Sequence, residues 1–300
     1  MKVGFLLKEN FMKKIALATM LAVVSITASA QVTLSGQLRP FLDNTSLAGS
    51  STTTMKSDSS RIGISAAESL GGGLTARAVV ETSVAATNPV SGTETKLGDR
   101  QTTLGLSSRL GSIDIGRKFN SHFLAITGND VFGTAYGSIA GDVHSLRTIR
   151  SGDAVFLTTG MGNFSGSLDR TVTVGTEALS YSAVGVVGPV QATVAVFESG
   201  TSRSTVVAAQ SGLMGLKAHV SYSLDKDNTV ESTGALIGAA WVSGAVTTKV
   251  SYGTRSLGDV KAYNLGADYA LSKNTAISVA YRNVNSADTK QMGVGLTHRF

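Results

Sequence analysis

The sequence contains no cysteine, only three prolines and one tryptophan, and only 15% of its 300 residues are charged. The lack of cysteine excludes disulfide scaffolds, thiolate metal sites and cysteine nucleophiles. The charged fraction is well below the roughly 25% of a typical soluble domain. The four histidines do not form a pair at metal-ligand spacing, so we expect neither a metal nor a cofactor.

Long apolar runs are also missing, although 42% of the residues are hydrophobic. No apolar stretch after residue 30 reaches the 18 residues that a transmembrane helix needs. Small and polar residues are abundant instead, with 70 serines and threonines and 34 glycines. This composition favours many short strands and turns over a disordered chain, which would have fewer apolar residues and a higher net charge.

The N-terminal segment has the three parts of a secretory signal peptide. Lys13 and Lys14 precede an apolar run of about 13 residues, and Ala28-Ser29-Ala30 forms a cleavage site. A membrane anchor is the alternative, but the run is too short to span a bilayer as a helix. The sequence predicts a signal peptide over residues 1–30, cleaved after Ala30, with Met12 as a possible true start.

Cleavage after Ala30 would also remove much of the basic character of the chain. The formal net charge is +6 for the whole sequence and +3 for residues 31–300. The high calculated isoelectric point therefore belongs partly to the predicted signal peptide. We expect no nucleic-acid partner.

The rest of the chain alternates apolar and polar residues with a period of two. In residues 216–224, Leu216, Val220 and Tyr222 share one face, whereas Lys217 and His219 share the other. Sixteen such segments occur, near residues 32–42, 59–67, 73–82, 100–109, 111–118, 151–159, 163–174, 178–187, 189–198, 203–211, 213–224, 233–242, 244–253, 261–271, 275–283 and 290–300.

The connections between these segments alternate between short turns and longer loops, which is typical of an outer-membrane barrel. The longest predicted loops are 43–58, 83–99 and 119–150. The sequence therefore predicts an all-β fold, a transmembrane antiparallel β-barrel of about 16 strands over residues 31–300. At that size the lumen holds water. A soluble all-β sandwich or propeller is the alternative.

Several stretches resemble the general porins of β-proteobacteria, of the Burkholderia, Comamonas and Neisseria type. They are QVTLSGQL at the predicted mature start, SSRIGISAAESLGGGLTARAVVET (59–82), RQTTLGLSSRLGSIDIGRKF (100–119), GADYALSKNT (266–275) and VGLTHRF (294–300). The resemblance spans residues 31–300, although that length is short for the family.

The resemblance implies a homotrimer of channels in the outer membrane of a Gram-negative bacterium. It implies passive diffusion of small hydrophilic solutes and ions, and a third loop that folds into each channel. Other implied partners are the outer-membrane lipids and the assembly machinery. The aromatic C-terminal residue Phe300 is the implied assembly signal, and lipid contact is its plainer interpretation.

Basic residues on the polar faces of the first strands are candidates for lining the pore. Arg39, Arg61 and Arg77 share the polar phase of the first three strands, and we expect them to form a basic ladder. Alternatively, they pair with Glu81 or with loop carboxylates. Arg117 is a further candidate, although its position in the alternation puts it on the apolar face at a strand end.

The predicted third loop, 119–150, supplies the remaining candidates for the constriction. It contains Asp130 and Asp142, and Arg147 and Arg150 lie near its end. These carboxylates would oppose the basic ladder across the channel. Because basic residues are more numerous on the predicted inward faces, we expect a weak preference for anions.

Other roles for an outer-membrane barrel are a hydrolase, a sugar-specific channel and an adhesin. His144 lies near Asp142 and Ser145, but the three residues match no catalytic motif. A sugar channel would need a row of lumen aromatics, and only Phe41 and Phe197 clearly point inward in the alternation. The sequence therefore predicts a channel and not an enzyme.

Overall fold

The computed structural model describes residues 30–85 and 96–300. Residues 1–29 of the predicted signal peptide and residues 86–95 of the predicted loop 83–99 lie outside the described residues. No helix in the described ranges is long and apolar enough to cross a membrane.

The described chain forms one antiparallel sheet that closes into a barrel of 16 strands, as the alternation predicts. Two of the strands consist of two segments each. The strands are β1 (Gln31–Leu38 and Pro40–Leu47), β2 (Ser50–Ser57 and Arg61–Gly71), β3 (Leu74–Ser83), β4 (Gln101–Ser108), β5 (Gly111–Phe119), β6 (Arg150–Met161), β7 (Phe164–Thr171), β8 (Leu179–Val187), β9 (Val190–Ser199), β10 (Ser202–Leu213), β11 (Leu216–Asp227), β12 (Val230–Ser243), β13 (Val246–Arg255), β14 (Val260–Ala270), β15 (Thr275–Val284) and β16 (Thr289–Arg299).

The predicted first loop, 43–58, is wrong, because β1 and β2 continue through it. A tight turn at Ala48 and Gly49 joins the two strands, and both residues have a positive φ. The register between the strands shifts by one residue, from Pro40 opposite Ser57 to Gln37 opposite Arg61. The extra residue in β2 is a bulge, which bends the strands at this point.

Pairing of the last strand with the first closes the barrel. β16 keeps one register along both segments of β1, with Phe41 opposite Gly295 and Leu38 opposite His298. The main chain of Phe300 exchanges two hydrogen bonds with that of Gly36. A Cβ on Gly36 would stand 2.5 Å from Cζ of Phe300 and 2.7 Å from the Arg61 carbonyl oxygen. Because the second atom belongs to the backbone, a side chain at this position would displace the neighbouring strand.

The outward face of the barrel is apolar and the inward face is polar. In β11, Val220 and Tyr222 are exposed on the outside, whereas His219, Ser221 and Ser223 are buried on the inside. Exposed leucine, isoleucine and valine side chains continue this outer surface on most other strands. An apolar surface of this extent requires a hydrocarbon environment, and closure pairs the strand edges as hydrocarbon demands.

The two rims of the barrel differ in the length of their connections. One rim has only short turns, such as those at 72–73, 109–110 and 214–215. The other rim carries the long connection between β5 and β6, residues 120–149, which we call loop 3. Loop 3 contains two helices, α1 (Ser121–Gly128) and α2 (Ala140–Val143).

Candidate functional site

Loop 3 packs inside the barrel, as expected for the third loop, and α1 begins at an N-cap. The Asn120 side chain accepts a hydrogen bond from the Phe123 amide, which satisfies one free donor of the first turn. The buried faces of loop 3 pack against the wall through an apolar cluster that includes Ile126, Ile139, Val143 and Leu236. Loop 3 therefore covers part of the wall and narrows the lumen.

Small inward residues on β12 to β16 make room for loop 3 against the wall. A Cβ on Gly253 would stand 2.5 Å from the Val143 side chain, and one on Gly266 would stand 2.7 Å from the Phe132 ring. A Cβ on Gly234 would overlap the Val143 carbonyl oxygen. The close approach of loop 3 therefore requires glycine at these inward positions.

Polar side chains of the wall fix the start of loop 3. The Ser121 amide and hydroxyl both donate to Asp169, and Nε2 of His122 lies 2.9 Å from the Ser204 hydroxyl. His122 is fully buried. Burial, with a smaller effect of the Arg147 charge, lowers the pKa of His122 to about 4. The imidazole is therefore neutral at neutral pH.

The end of loop 3 is held in the same way. The two ring nitrogens of His144 lie 3.0 and 2.8 Å from the hydroxyls of Ser223 and Ser221. Burial, with smaller effects of nearby basic groups, lowers the pKa of His144 to about 4. His144 bonds to wall serines and Asp142 bonds to Arg282, so the two residues do not form a hydrolase pair.

The middle of loop 3 is anchored to β1 and β14. The Tyr136 hydroxyl donates to Asp43, and the Tyr136 ring stacks on Phe41 with centroids 4.2 Å apart. Burial and the Asp43 carboxylate raise the pKa of Tyr136 above its usual value. Nδ2 of Asn264 also donates to the Gly137 carbonyl. Loop 3 is thus attached to the wall along its whole length.

The two carboxylates of loop 3 are engaged within the protein. Asp130 is 5% exposed and accepts hydrogen bonds from the amides of Phe132 and Thr134 and from the Ser138 hydroxyl. Asp142 pairs with Arg282 at 3.0 Å. Burial raises the pKa of Asp142, although Arg282 opposes this effect. Asp142 is thus paired with a cation, whereas Asp130 is held by neutral donors of its own loop.

Basic side chains of β1 and β2, and of Arg100 just before β4, lie across the constriction from loop 3. Arg61 and Arg100 share the single carboxylate of Glu81, at 3.0 and 2.7 Å. Arg39 pairs with Asp58 at 2.9 Å. Two guanidinium groups on one carboxylate leave a net positive charge at this part of the wall.

A cavity of about 740 Å³ lies between this wall and loop 3, and we call it the constriction cavity. Among the described residues, seven basic and two acidic side chains line it. The basic ones are Arg39, Arg61, Arg100, Arg150, Lys217, Lys249 and Arg299, and the acidic ones are Glu81 and Asp130. Lys249 also pairs with Asp268 at 2.6 Å. The cavity is positive even when Asp58 and Asp268 are counted.

Several residues predicted to line the pore lie away from this cavity. Arg77 is exposed on β3, four residues nearer the short-turn rim than Glu81. Arg117 is exposed at a register shift in β5 and donates to the Asp99 carbonyl. Arg147 pairs with Asp227 at the end of β11. The structure thus brings Arg39, Arg61, Glu81 and Arg150 together, but not these three arginines.

Sequence reasoning missed two basic residues of the cavity, Arg100 and Arg299. Arg100 begins the predicted segment 100–109, and the alternation gives it the outward phase of Leu104 and Leu106; in the structure it precedes β4 and lines the cavity. Arg299 lies on β16 between the outward residues His298 and Phe300, so its inward phase was available from the sequence. Phe132 of loop 3, whose ring lies 5.5 Å below the Lys249 ammonium group, carried no sequence signal.

The described residues contain no group of three or more potential metal ligands. No curated protein sequence matches the chain significantly. A family profile described as Gram-negative porin matches residues 16–289, which is most of the chain.

Solved barrels share the fold at low sequence identity. The anion-selective porin from Comamonas acidovorans is 19% identical, with a TM-score of 0.75 over 91% of this chain and 100% of that one. Salmonella typhi OmpF in complex with daunomycin is 17% identical, with a TM-score of 0.75 over 90% and 97%. In-vitro folded OmpT of Vibrio cholerae, in its trimer form, is 13% identical, with a TM-score of 0.72 over 91% and 100%.

The family match, the closed barrel with its apolar outer face and the inserted third loop agree with one another. Porins of this family are channels that pass small solutes and are not enzymes. The chain therefore belongs to the Gram-negative porin family and forms a general porin channel in the outer membrane.

Proposed function

We propose that this porin conducts anions in modest preference to cations. The observation that supports the proposal is the excess of basic side chains around the constriction cavity. A narrow passage lined by one sign of charge concentrates counter-ions and excludes co-ions. The preference is modest because Glu81, Asp58 and Asp268 neutralise part of the basic wall.

The excess is carried by five of the seven basic side chains. Arg61 and Arg100 share one carboxylate, so together they carry one uncompensated charge. Arg150, Lys217 and Arg299 form no ion pair with any residue in the ranges 30–85 and 96–300. We propose that these four arginines and Lys217 set the selectivity, and that Arg39 contributes less because Asp58 neutralises it.

The test is the reversal potential of the purified channel in a low-salt KCl gradient. Arg100→Gln and Arg150→Gln should each move the reversal potential towards the equilibrium potential of potassium. The double variant should move it further in the same direction. Arg203→Gln, which removes a charge paired with Glu198 outside the cavity, is the matched control. An unchanged potential in the double variant would reject the proposal.

We also propose that the channel assembles as a homotrimer, since OmpT of Vibrio cholerae is solved in a trimer form. Light scattering of detergent-solubilised protein should give three times the monomer mass.

Phe300 is the proposed assembly signal for the barrel machinery, and Phe300→Ala should reduce the yield of folded barrel in the outer membrane. A monomeric mass would contradict the first proposal, and an undiminished yield the second.

The predicted signal peptide remains a proposal as well. It is supported by the basic, apolar and Ala-Ser-Ala segments before Gln31. N-terminal sequencing of the membrane-extracted protein should begin at Gln31. A mature protein that retains residues 12–30 would reject cleavage after Ala30.

A further inference from the structure

The face that loop 3 turns towards the constriction cavity is largely apolar, and Asp130 is its one acidic residue among the described lining residues. Leu124 and Ile149 line the cavity and are 50% and 37% exposed, and Val131 lines it as well. The carboxylates of Asp130 and Asp142 are engaged within loop 3 and by Arg282. The passage therefore has an apolar side and a basic side.

The exposed apolar side chains are not needed to hold loop 3 in place. Helix α1 buries Ala125 and Ile126 against the wall, whereas Leu124 points into the water-filled lumen. Each exposed apolar side chain costs free energy that burial against a ligand would recover. A group of them in a concave, water-filled passage is typical of a surface that contacts an apolar ligand.

An arginine connects the apolar side to the basic side. The guanidinium carbon of Arg150 lies 4.1 Å from the centroid of the Phe119 ring, and the Phe119 and Phe123 centroids are 4.9 Å apart. Arg150 also lines the cavity together with Arg100. A cation thus stands at the edge of the apolar surface, where it would meet the charged end of an amphipathic ligand.

We propose that the constriction cavity binds small amphipathic monocarboxylates, that is, organic anions with one carboxylate on an aromatic or branched aliphatic body. The carboxylate contacts Arg150 and Arg100, and the apolar body lies on Leu124, Val131 and Ile149. The inference rests on the proposed anion preference. It goes further, because the preference among anions depends on the apolar side of the passage.

Both sides of the passage are needed to favour this class of ligand. An inorganic or hydroxylated anion would use the basic side but gain nothing from Leu124 and Ile149. An aromatic cation would contact the apolar side and be repelled by Arg150 and Arg100. The cavity volume of about 740 Å³ is in the range of small-molecule sites and exceeds that of a single benzoate-sized ion.

The experiment measures block of the chloride current through purified channels in a planar bilayer at low salt. The probes are benzoate, gluconate as a hydroxylated monoanion, benzyl alcohol as the neutral aromatic and benzylammonium as the aromatic cation. We expect benzoate to reach half-block at a concentration about tenfold lower than gluconate, the effect of one buried apolar contact. Benzyl alcohol and benzylammonium should block less than benzoate.

Variants of Leu124 test the apolar side of the passage. Leu124→Asn should raise the half-blocking concentration of benzoate about fivefold or more, while leaving that of gluconate within about twofold. Leu124→Met should restore benzoate block. Leu257→Asn makes the same change at an exposed leucine outside the cavity and should leave block unchanged.

Equal potency of benzoate and gluconate on the wild-type channel would overturn the inference, and so would an unchanged benzoate block in Leu124→Asn. The KCl reversal potential of the wild type separates this failure from that of the proposed function. An anion-selective channel without preference for benzoate rejects the inference alone. A cation-selective wild type rejects the proposed function, and benzoate block would then require another explanation than Arg150 and Arg100.

Discussion

Asp142 of loop 3 and Arg282 of β15 form an ion pair, with Oδ1 and Nη2 3.0 Å apart, across 140 residues of sequence. Nη1 of the same guanidinium donates to the Ser138 carbonyl. The pair holds loop 3 against the wall and engages the Asp142 carboxylate with Arg282. Of the two carboxylates of loop 3, only that of Asp130 lines the constriction cavity opposite its basic side.

Removal of the Asp142 charge tests this interpretation. Asp142→Asn leaves Arg282 without a counter-charge near the passage, so the reversal potential in a KCl gradient should move further towards the anion side. Asp259→Asn, which removes an exposed rim carboxylate paired with Lys261, is the control and should have a smaller effect. Equal shifts in the two variants would contradict a local effect of Asp142.

A substitution at Gly234 tests how loop 3 fits against the wall. In Gly234→Ala the new Cβ would overlap the Val143 carbonyl oxygen, which belongs to the backbone and cannot rotate away. We expect loop 3 to shift into the lumen at a cost of about 1–3 kcal/mol. The single-channel conductance should fall and the current should become noisier.

Gly63→Ala is the matched control for this substitution. Gly63 also faces inward, but a Cβ there would stand 3.5 Å from its nearest neighbours, an ordinary contact distance. Its conductance should equal that of the wild type. If Gly234→Ala also conducts like the wild type, loop 3 is not seated on Gly234 as described.

The buried histidines of loop 3 predict a pH dependence. The pKa of His122 and that of His144 are both lowered to about 4, from an ordinary value of 6.5. Between pH 6.5 and about 4, the two histidines would bind protons if loop 3 were released from the wall, but not while it is docked. The docked state therefore loses stability as the pH falls through this range. Once the pH has fallen to about 4, each histidine has lowered the stability of the docked loop by roughly 3 kcal/mol.

Channel closures should therefore become more frequent as the pH falls through this range. His144→Gln keeps a side chain that can bond to Ser221 and Ser223 but cannot titrate, so its closures should depend less on pH. Bilayer recordings at a series of pH values measure this difference. Identical pH profiles for the wild type and for a His122→Gln, His144→Gln double variant would contradict a role for these groups.

The strand count and the inward and outward faces were predictable because the period-two alternation is local. The first hairpin was not, since the segment from Ser50 to Ser57 is almost entirely polar and has no apolar phase to detect. The alternation therefore predicted a long first loop over residues 43–58, and the structure instead continues both strands to the turn at Ala48 and Gly49.

The electrostatics of the lumen were less predictable because they depend on partners distant in sequence. The alternation predicted that Arg61 and Glu81 face inward. It did not predict that Glu81 also pairs with Arg100. The predicted opposition of loop carboxylates and wall arginines was reasonable from sequence alone. Only the fold shows that Asp130 bonds within its own loop and that Asp142 bonds to Arg282.

The reversal potential of the wild-type channel under a low-salt KCl gradient tests the central claim most directly. We predict a reversal potential shifted from zero towards the equilibrium potential of chloride, because of the basic wall around Arg61, Arg100, Arg150 and Arg299. We also predict that the potential declines at high salt, because the Debye length falls from about 10 Å at 0.1 M to about 3 Å at 1 M. A reversal potential shifted towards the equilibrium potential of potassium at low salt would contradict this prediction.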